Sequence, residues 1–224
     1  MLKFVAAAVA LSLTFAACTP MEPVVETANV RVAHLSPNAP NVDIWLDGKV
    51  VPALTNVKFK DVSGYLPIPV GARQIAVYST GTTTGPVINT SVTLEAKKSY
   101  TVGAIGLVSA ITAKVYTDDL STNATKARVR VIHASPDAPA VDVGVKGQLP
   151  AAAVVKGIKF PEAVGYLELD AGVLPLEIRL AGTATVVKSF DTPALVAGKV
   201  YMVFAVDVKA TLGVVAVEDV VAAK

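Results

Sequence analysis

Short runs of apolar, mostly β-branched residues recur along the chain and are separated by glycine, proline, asparagine and aspartate. In the first half these runs cover residues 29–35, 42–46, 65–69, 73–79, 87–94, 99–108 and 111–117. No window keeps the 3.6-residue period of an amphipathic helix, and short strands at this spacing are typical of β-sandwiches. The pattern therefore predicts an all-β protein built from antiparallel sandwiches of about seven strands each.

A long internal repeat gives the domain organisation. Residues 31–48 are RVAHLSPNAPNVDIWLDG and residues 130–147 are RVIHASPDAPAVDVGVKG, with ten of the eighteen positions identical and both histidines of the chain included. Matching positions lie 99 residues apart in this motif and 101 apart afterwards. Similarity of this extent indicates duplication of a whole domain. We expect repeat 1 at 29–120, a linker at 121–127 and repeat 2 at 128–224.

The N-terminal segment resembles a targeting signal. Lys3 precedes an apolar stretch at 4–14 that is too short to span a bilayer, and the sequence Phe-Ala-Ala-Cys follows at 15–18. This order resembles a bacterial lipoprotein signal peptide, in which residues 1–17 are removed and Cys18 becomes lipidated. We therefore expect an envelope protein that faces the periplasm or the exterior and is held on its membrane by the lipid.

The segment after the signal has the composition of a tether, at 18–28, with two prolines and no strong period. Phe15 stands where lipoprotein signals usually carry leucine. The alternatives are an ordinary secretory signal and a retained apolar anchor.

Charge and cysteine content narrow the function classes. The chain has 20 basic and 18 acidic residues, and no run of like charge gathers into a patch. Electrostatic binding of nucleic acid therefore has no support. Cys18 is the only cysteine, so its lipidation would leave no thiol for a disulfide, a nucleophile or a metal site.

The repeated motif predicts a rigid corner after a strand. Residues two apart in a strand share a face, so His34 and Ser36, like His133 and Ser135, begin on the apolar side, while Arg31 points the other way. Two prolines follow each serine and force the chain out of the sheet. We expect each imidazole to be partly buried and hydrogen-bonded to the backbone or to a carboxylate across the turn.

Aspartates near the corner add candidate chemistry. Asp43 and Asp142 open the next strand and are the expected carboxylate partners of the two histidines, and Asp137 lies within the second corner. A structural corner is the favoured interpretation, and a binding site for a small ligand or carbohydrate is the alternative. A hydrolase is less favoured, because Ser36 precedes a proline and lacks a glycine-flanked nucleophile turn. One imidazole per domain and no thiol argue against a transition-metal site, and no cofactor is expected.

Trp45 is a further candidate. It has the parity opposite to Val42, Ile44 and Leu46, which exposes it if those three residues face the core. Repeat 2 has Gly144 at this position. Two hypotheses remain: an aromatic contact for a glycan or a protein in domain 1 alone, or packing against domain 2.

The tandem pattern R-V-x-H-x-S-P-[ND]-A-P-x-V-D behind a lipoprotein-type signal resembles the bacterial family of domain of unknown function 4397. The resemblance covers nearly all of residues 29–222 and implies an envelope or secreted protein with an immunoglobulin-like or related sandwich. It assigns no reaction and no functional residues. Asn38 stands where the family motif usually has the aspartate that repeat 2 keeps as Asp137, so a ligand that needs this carboxylate would make repeat 1 the exception.

The observations together predict two tandem immunoglobulin-like antiparallel β-sandwich domains in a lipid-anchored protein of the bacterial cell envelope. We expect a non-enzymatic structural or protein-interaction module for another envelope protein or a cell-wall polymer. A small-ligand or carbohydrate-binding lipoprotein that uses the His/Ser-Pro/Asp corner is the alternative.

Overall fold

The computed structural model of the chain describes residues 25–148 and 153–220. The predicted signal peptide at 1–17, the lipidation site Cys18 and most of the tether at 18–28 lie outside the described residues. Within the two described segments, no helix has the length and apolar character needed to cross a membrane.

Residues 27–118 form two four-stranded sheets, which together are called domain 1. The strands are β1 (Thr27–His34), β2 (Val42–Leu46), β3 (Lys49–Val50), β4 (Leu66–Pro69), β5 (Gly71–Ser79), β6 (Ile88–Leu94), β7 (Ser99–Ile105) and β8 (Thr112–Asp118), with 3-10 turns at Pro52–Leu54 and Val108–Ala110. The inner sheet of domain 1 has the order β4-β1-β7-β8, and its outer sheet has the order β3-β2-β5-β6.

Residues 127–218 form two further four-stranded sheets, called domain 2. The strands are β9 (Ala127–His133), β10 (Val141–Val145), β11 (Ala153–Ile158), β12 (Ala163–Leu169), β13 (Pro175–Leu180), β14 (Val186–Asp191), β15 (Val200–Val206) and β16 (Gly213–Glu218), with a 3-10 turn at Lys209–Thr211. The inner sheet of domain 2 has the order β12-β9-β15-β16, and its outer sheet has the order β11-β10-β13-β14.

The predicted all-β fold of two sandwich domains is confirmed. Most strand pairs are antiparallel, but β1 pairs with β7 and β9 pairs with β15 in parallel. Strands β7 and β15 are buried along their whole length. A strand buried on both faces reads as a continuous apolar run, and such a run carries no information on strand direction. The parallel pairs were therefore not readable from the sequence pattern.

Each domain has its own apolar core between its two sheets. In domain 1, Val32 and Val102 of the inner sheet pack with Ile44 and Val77 of the outer sheet. In domain 2 the corresponding layer is made by the buried residues Val131, Val141, Val143, Val155, Ile158, Ile178, Ala205 and Leu212. Because strand residues alternate between faces, this leaves the other face of each inner sheet to be covered by something else.

A third apolar layer joins the two inner sheets and thus the two domains. Its buried members are Ala33, Leu35, Ile105 and Tyr116 from domain 1 and Ile132, Ala134, Met202, Phe204 and Val206 from domain 2. Strands β1 and β9 therefore contribute side chains to two different cores, one on each face. The molecule is a stack of four sheets, with the two outer sheets at its ends.

Candidate functional site

The first Ser-Pro corner is closed by a buried histidine. His34 lies at the end of β1 with no exposed surface. Its Nε2 is 3.0 Å from the carbonyl oxygen of Pro40, and the backbone N–H of Ser36 donates to its Nδ1 at 3.4 Å. A carbonyl only accepts and a backbone N–H only donates, so these contacts require the neutral tautomer with its hydrogen on Nε2. Burial lowers the pKa of His34, which favours the same neutral form.

The second corner repeats this arrangement. His133 Nε2 donates to the carbonyl oxygen of Pro139 at 3.1 Å, and the backbone N–H of Ser135 donates to His133 Nδ1 at 3.3 Å. Burial lowers the pKa of His133 as well. In both corners the two ring nitrogens are engaged by the backbone of the loop that follows the strand.

The expected pairing of His34 with Asp43 is wrong. The Asp43 carboxylate accepts from the backbone N–H groups of Asn56 at 2.7 Å and Gly81 at 3.2 Å, and from Thr80 Oγ1 at 3.0 Å. These bonds lower the pKa of Asp43, with the Asn56 bond contributing most. The reason for the error is parity: Asp43 lies between two core residues of β2 and faces away from the core, whereas His34 faces the core.

The expected pairing of His133 with Asp142 is wrong for the same reason. The Asp142 carboxylate accepts from the backbone N–H groups of Gly157 at 2.7 Å and Gly182 at 2.9 Å. Each aspartate thus ties together two neighbouring chain segments of its outer sheet and takes no part in the histidine corner.

The motif position that is Asn38 in repeat 1 and Asp137 in repeat 2 connects each corner to a 3-10 turn, which follows β7 in domain 1 and β15 in domain 2. Asn38 Oδ1 accepts from the backbone N–H of Val108 at 2.8 Å, and Asp137 Oδ1 accepts from that of Lys209 at 2.7 Å. An amide oxygen and a carboxylate oxygen make the same bond here. The contact therefore does not need the negative charge that distinguishes the two repeats.

The hydroxyl groups of the two motif serines, unlike the neighbouring motif side chains, do not help to hold the corners together. Ser36 and Ser135 are fully buried, and their hydroxyl oxygens have no hydrogen-bond partner among the described residues. A serine nucleophile needs a base within hydrogen-bond reach and a group that orients the base. The His34 ring bonds backbone atoms of Pro40 and Ser36 and not the Ser36 hydroxyl. Asp43 faces away from His34, so the corner does not form a serine–histidine–aspartate triad. Residues 25–148 and 153–220 also hold no cluster of His, Cys, Asp or Glu suited to a metal ion.

Trp45 lies on the outer face of the outer sheet of domain 1, at one end of the four-sheet stack. Its neighbours Val42 and Ile44 face the core, and the inner sheet separates this sheet from domain 2. The hypothesis that Trp45 packs against domain 2 is therefore wrong. Its ring instead contacts Tyr78 on β5, with centroids 5.2 Å apart and planes inclined by 55°.

Polar side chains continue this face towards β6. In the strand register Trp45 lies beside Ala76, and Ala76 lies beside Asn89. Gln74 Nε2 donates to Asn89 Oδ1, and Ser91 Oγ donates to Gln74 Oε1 at 2.9 Å. We call the surface formed by Trp45, Gln74, Ala76, Tyr78, Asn89 and Ser91 the Trp45 face. Tyr78 and the polar chain beside it were missed at the sequence level, where cross-strand neighbours are unknown.

Two crossed ion pairs lie between the domains and were also missed. Arg31 of domain 1 lies 2.6 Å from Asp219 of domain 2, and Arg130 of domain 2 lies 3.0 Å from Asp118 of domain 1. The two arginines are equivalent in the repeats, and so are the two aspartates, as the offsets of 99 and 101 residues show. The interface therefore has the exchange symmetry of a two-fold dimer, with each domain giving an arginine and receiving one.

Both aspartates of this interface have raised pKa values. Burial raises the pKa of Asp219 to about 6 against the opposing effect of Arg31. Burial also raises the pKa of Asp118, although Thr101 and Tyr65 donate hydrogen bonds to it. The sequence did carry a signal for this interface, because Arg31 shares its strand face with Ala33 and Leu35, and apolar residues on both faces of a strand indicate two covered faces.

The chain matches a known protein family. The family described as Domain of unknown function (DUF4397) matches residues 28–144, which span domain 1, β9 and most of β10. No curated protein matches the chain. Because the matched residues make up more than half of the 224-residue chain, the protein belongs to the DUF4397 family.

Proposed function

We propose that the protein is a non-enzymatic module of the bacterial cell envelope, held on its membrane by a lipid on Cys18, in which two tandem DUF4397 domains form one rigid body. Its role is to hold a binding surface for another envelope protein or a cell-wall polymer at a set distance from the anchor. The observation that carries this proposal is the third apolar layer between the inner sheets, with its two crossed ion pairs.

The interface between the two domains supports a rigid body because it is apolar and deeply buried. Interfaces between mobile domains are usually more polar than obligate ones. Here Phe204 and Met202 are fully buried against domain 1 residues, and the Arg31 side chain is 2% exposed beside Asp219. Stacked sheets are spaced by roughly 10 Å, so the outer sheets lie roughly 30 Å apart in this body.

The corners support a scaffold role and weigh against the alternative of a ligand site built on them. His34 and His133 use both ring nitrogens on backbone groups, and Asn38 and Asp137 fasten the corners to the 3-10 turns. A ligand at a corner would have to displace these bonds. The polar groups best placed to meet a partner lie instead on the outer sheets.

Anchoring is tested with the full chain and its Cys18→Ser variant in a bacterial host. We expect the wild-type protein to incorporate an alkyne-labelled fatty acid and to sediment with membranes, and the variant to do neither, because the thiol is the acylated group. A wild-type protein that is unlabelled and recovered in the soluble fraction would contradict the anchor.

The module role is tested by crosslinking in intact cells, with the lipidated wild type beside a His34→Ala, His133→Ala double variant. We expect the wild type to recover one dominant envelope partner or wall polymer. The double variant should have a lower melting temperature, because each change removes two hydrogen bonds of a buried imidazole to the corner loop and opens a cavity. A double variant as stable as the wild type that has lost the partner would favour the ligand-site alternative and reject the scaffold role of the corners.

A further inference from the structure

Trp45 and Tyr78 form a partly exposed aromatic pair at the end of the molecule furthest from domain 2. Ala76, the residue between Trp45 and Asn89 in the register, is small, so the surface beside the indole ring is low. Val50 pairs with Trp45 on the other side and is 43% exposed. Large aromatic side chains that stay partly exposed on a flat sheet face are enriched where a protein meets a partner.

The polar half of the face is ordered before any partner arrives. Ser91 donates to Gln74 and Gln74 donates to Asn89, so the two amides are held in one orientation. The oxygen of Asn89 is used by Gln74, and no hydrogen bond from its amide nitrogen is seen among the described residues. Side-chain amides and hydroxyls both donate and accept hydrogen bonds, which suits a ligand rich in hydroxyl groups.

Domain 2 shows that the fold does not require this face. Gly144 occupies the position of Trp45, and Arg179 occupies the position of Tyr78. Arg179 forms an ion pair with Glu177 at 2.7 Å, so the outer sheet of domain 2 carries charges where domain 1 carries rings. Both side chains of this pair are mostly buried, at 13% and 4% exposed, so two sheets with the same topology differ at these positions and the one in domain 2 exposes no aromatic pair there.

The charge of the Trp45 face selects among ligands. Its six residues are all uncharged at neutral pH. Two carboxylates flank the face: Asp43 is held by backbone N–H groups, and Asp47 accepts from the backbone N–H of Gln74 at 2.9 Å and pairs with Arg73 at 3.1 Å. An anionic polymer would find no cation among the six residues, would meet both carboxylates and would have to compete with Asp47 for Arg73. A neutral ligand with apolar ring faces and a rim of hydroxyl groups fits both halves of the surface.

We propose that the Trp45 face binds a neutral polysaccharide, with pyranose rings stacked on Trp45 and Tyr78 and hydroxyl groups bonded to Asn89 and its neighbours. This inference rests on the proposed function and names the partner as a wall or surface glycan. The C–H face of a sugar ring meets the negative face of an aromatic ring favourably. Trp45 and Asn89 lie two strands apart, roughly 10 Å, so the site accommodates more than one sugar unit.

Trp45 makes the test direct because it is the only tryptophan of the chain. The full mature chain in detergent is titrated with cellohexaose and with chitohexaose while the tryptophan fluorescence is followed, and polygalacturonate serves as the anionic probe. We expect a saturable shift in emission with at least one neutral oligosaccharide and none with polygalacturonate. No shift and no heat of binding with either neutral probe would overturn the proposal, as would tighter binding of the anionic one.

Variants separate this face from the rest of the molecule. By calorimetry, Trp45→Ala and Tyr78→Ala should each weaken binding by about tenfold or more, as truncation of an aromatic anchor does. The exposed Asn89→Ala should weaken it by about threefold while leaving the core untouched. Val186→Ala, on the outer sheet of domain 2 where Val186 is 46% exposed, is the matched control and should bind like the wild type. Binding that survives all three changes in folded protein would overturn the assignment.

Two further results distinguish this inference from the proposed function. Concentration-dependent dimerisation that Trp45→Ala abolishes would show that a second copy covers the face, and would overturn the glycan. A crosslinked protein partner that Trp45→Ala leaves unchanged, together with no glycan binding, would reject this inference and leave the envelope module intact. Loss of membrane anchoring and of every crosslink in the wild type would reject the module, whatever the glycan titration shows.

Discussion

Domain 1 and domain 2 contribute equivalent ion pairs to their interface but surround them differently. The Arg31–Asp219 pair has side chains 2% and 0% exposed, whereas Arg130 in the Arg130–Asp118 pair is 13% exposed. Asp118 also accepts from Thr101 Oγ1 at 2.6 Å. The residue equivalent to Thr101 in domain 2 is Met202, which cannot donate to Asp219.

This difference shows how a duplicated interface diverges. A symmetric pair of domains would treat both aspartates alike, yet Met202 in place of a threonine deprives Asp219 of the hydroxyl donor that Asp118 has in Thr101. Tyr65 widens the difference, since its hydroxyl donates to Asp118 at 2.8 Å while the equivalent Tyr166 hydroxyl accepts from the backbone N–H of Asp119 at 3.2 Å. A buried carboxylate with fewer donors is harder to keep charged. The two ion pairs should therefore respond differently to mutation and to pH.

The largest expected effect is a difference in the stability lost when each interface arginine is replaced. Arg31→Met leaves Asp219 buried without its cation and should lower the free energy of unfolding by about 3–5 kcal/mol. The matched change Arg130→Met should cost less, about 1–3 kcal/mol, because Asp118 keeps the donors Thr101 and Tyr65. Urea unfolding of both variants measures the difference. Equal losses, or a greater loss for Arg130→Met, would show that the surroundings of the two pairs do not matter.

The fold class was predictable because strands leave a local signature. Apolar runs of strand length with turn residues between them located seven of the eight strands of domain 1, and missed only the two-residue β3. The repeat then transferred that pattern to domain 2. Strand partners follow from long-range contacts, so the parallel pairing of β1 with β7 could not be read from the alternation alone.

The candidate corner was predictable in part. Parity correctly placed His34 towards the core, and backbone hydrogen bonding was one of its two expected modes. The choice of Asp43 as its partner failed because Asp43 faces away from the core and bonds Asn56, Thr80 and Gly81. Arg31 was assigned correctly to the opposite strand face. Ala33 and Leu35 on that face indicate that it is covered, but only the stacked inner sheets show that domain 2 covers it.

A smaller effect is expected from pH. Since burial raises the pKa of Asp219 from 3.8 to about 6, the folded protein holds this proton more tightly than the unfolded chain. The contribution of Asp219 to stability is therefore greatest below about pH 4 and falls as the pH rises to about 6. We expect the free energy of unfolding of the wild type, minus that of Asp219→Asn, to fall by about 2 kcal/mol between pH 4 and pH 7.

The subtraction in that measurement removes the other carboxylates, which both proteins share. Asp43 and Asp119 have lowered pKa values and act in the opposite direction, losing stability as the pH falls. A difference that stays constant over this range would show that Asp219 titrates normally, and would remove the distinction drawn between Asp219 and Asp118.

The smallest change in stability is expected from replacing the motif serines, whose surroundings are alike in the two domains. Ser36 and Ser135 bury hydroxyl groups that no described residue binds, and such a group costs about 1–3 kcal/mol when it is left unpaired. Ser36→Ala and Ser135→Ala should each leave the free energy of unfolding unchanged or raise it by up to about 1 kcal/mol, and by similar amounts. Thermal melts of the two single variants and the double variant measure this. A clear loss in only one domain would mean that its hydroxyl has a partner there. The two corners would then differ at that serine as well as at Lys60, whose backbone N–H donates to the His34 carbonyl at 2.8 Å and whose equivalent in domain 2 is Pro161.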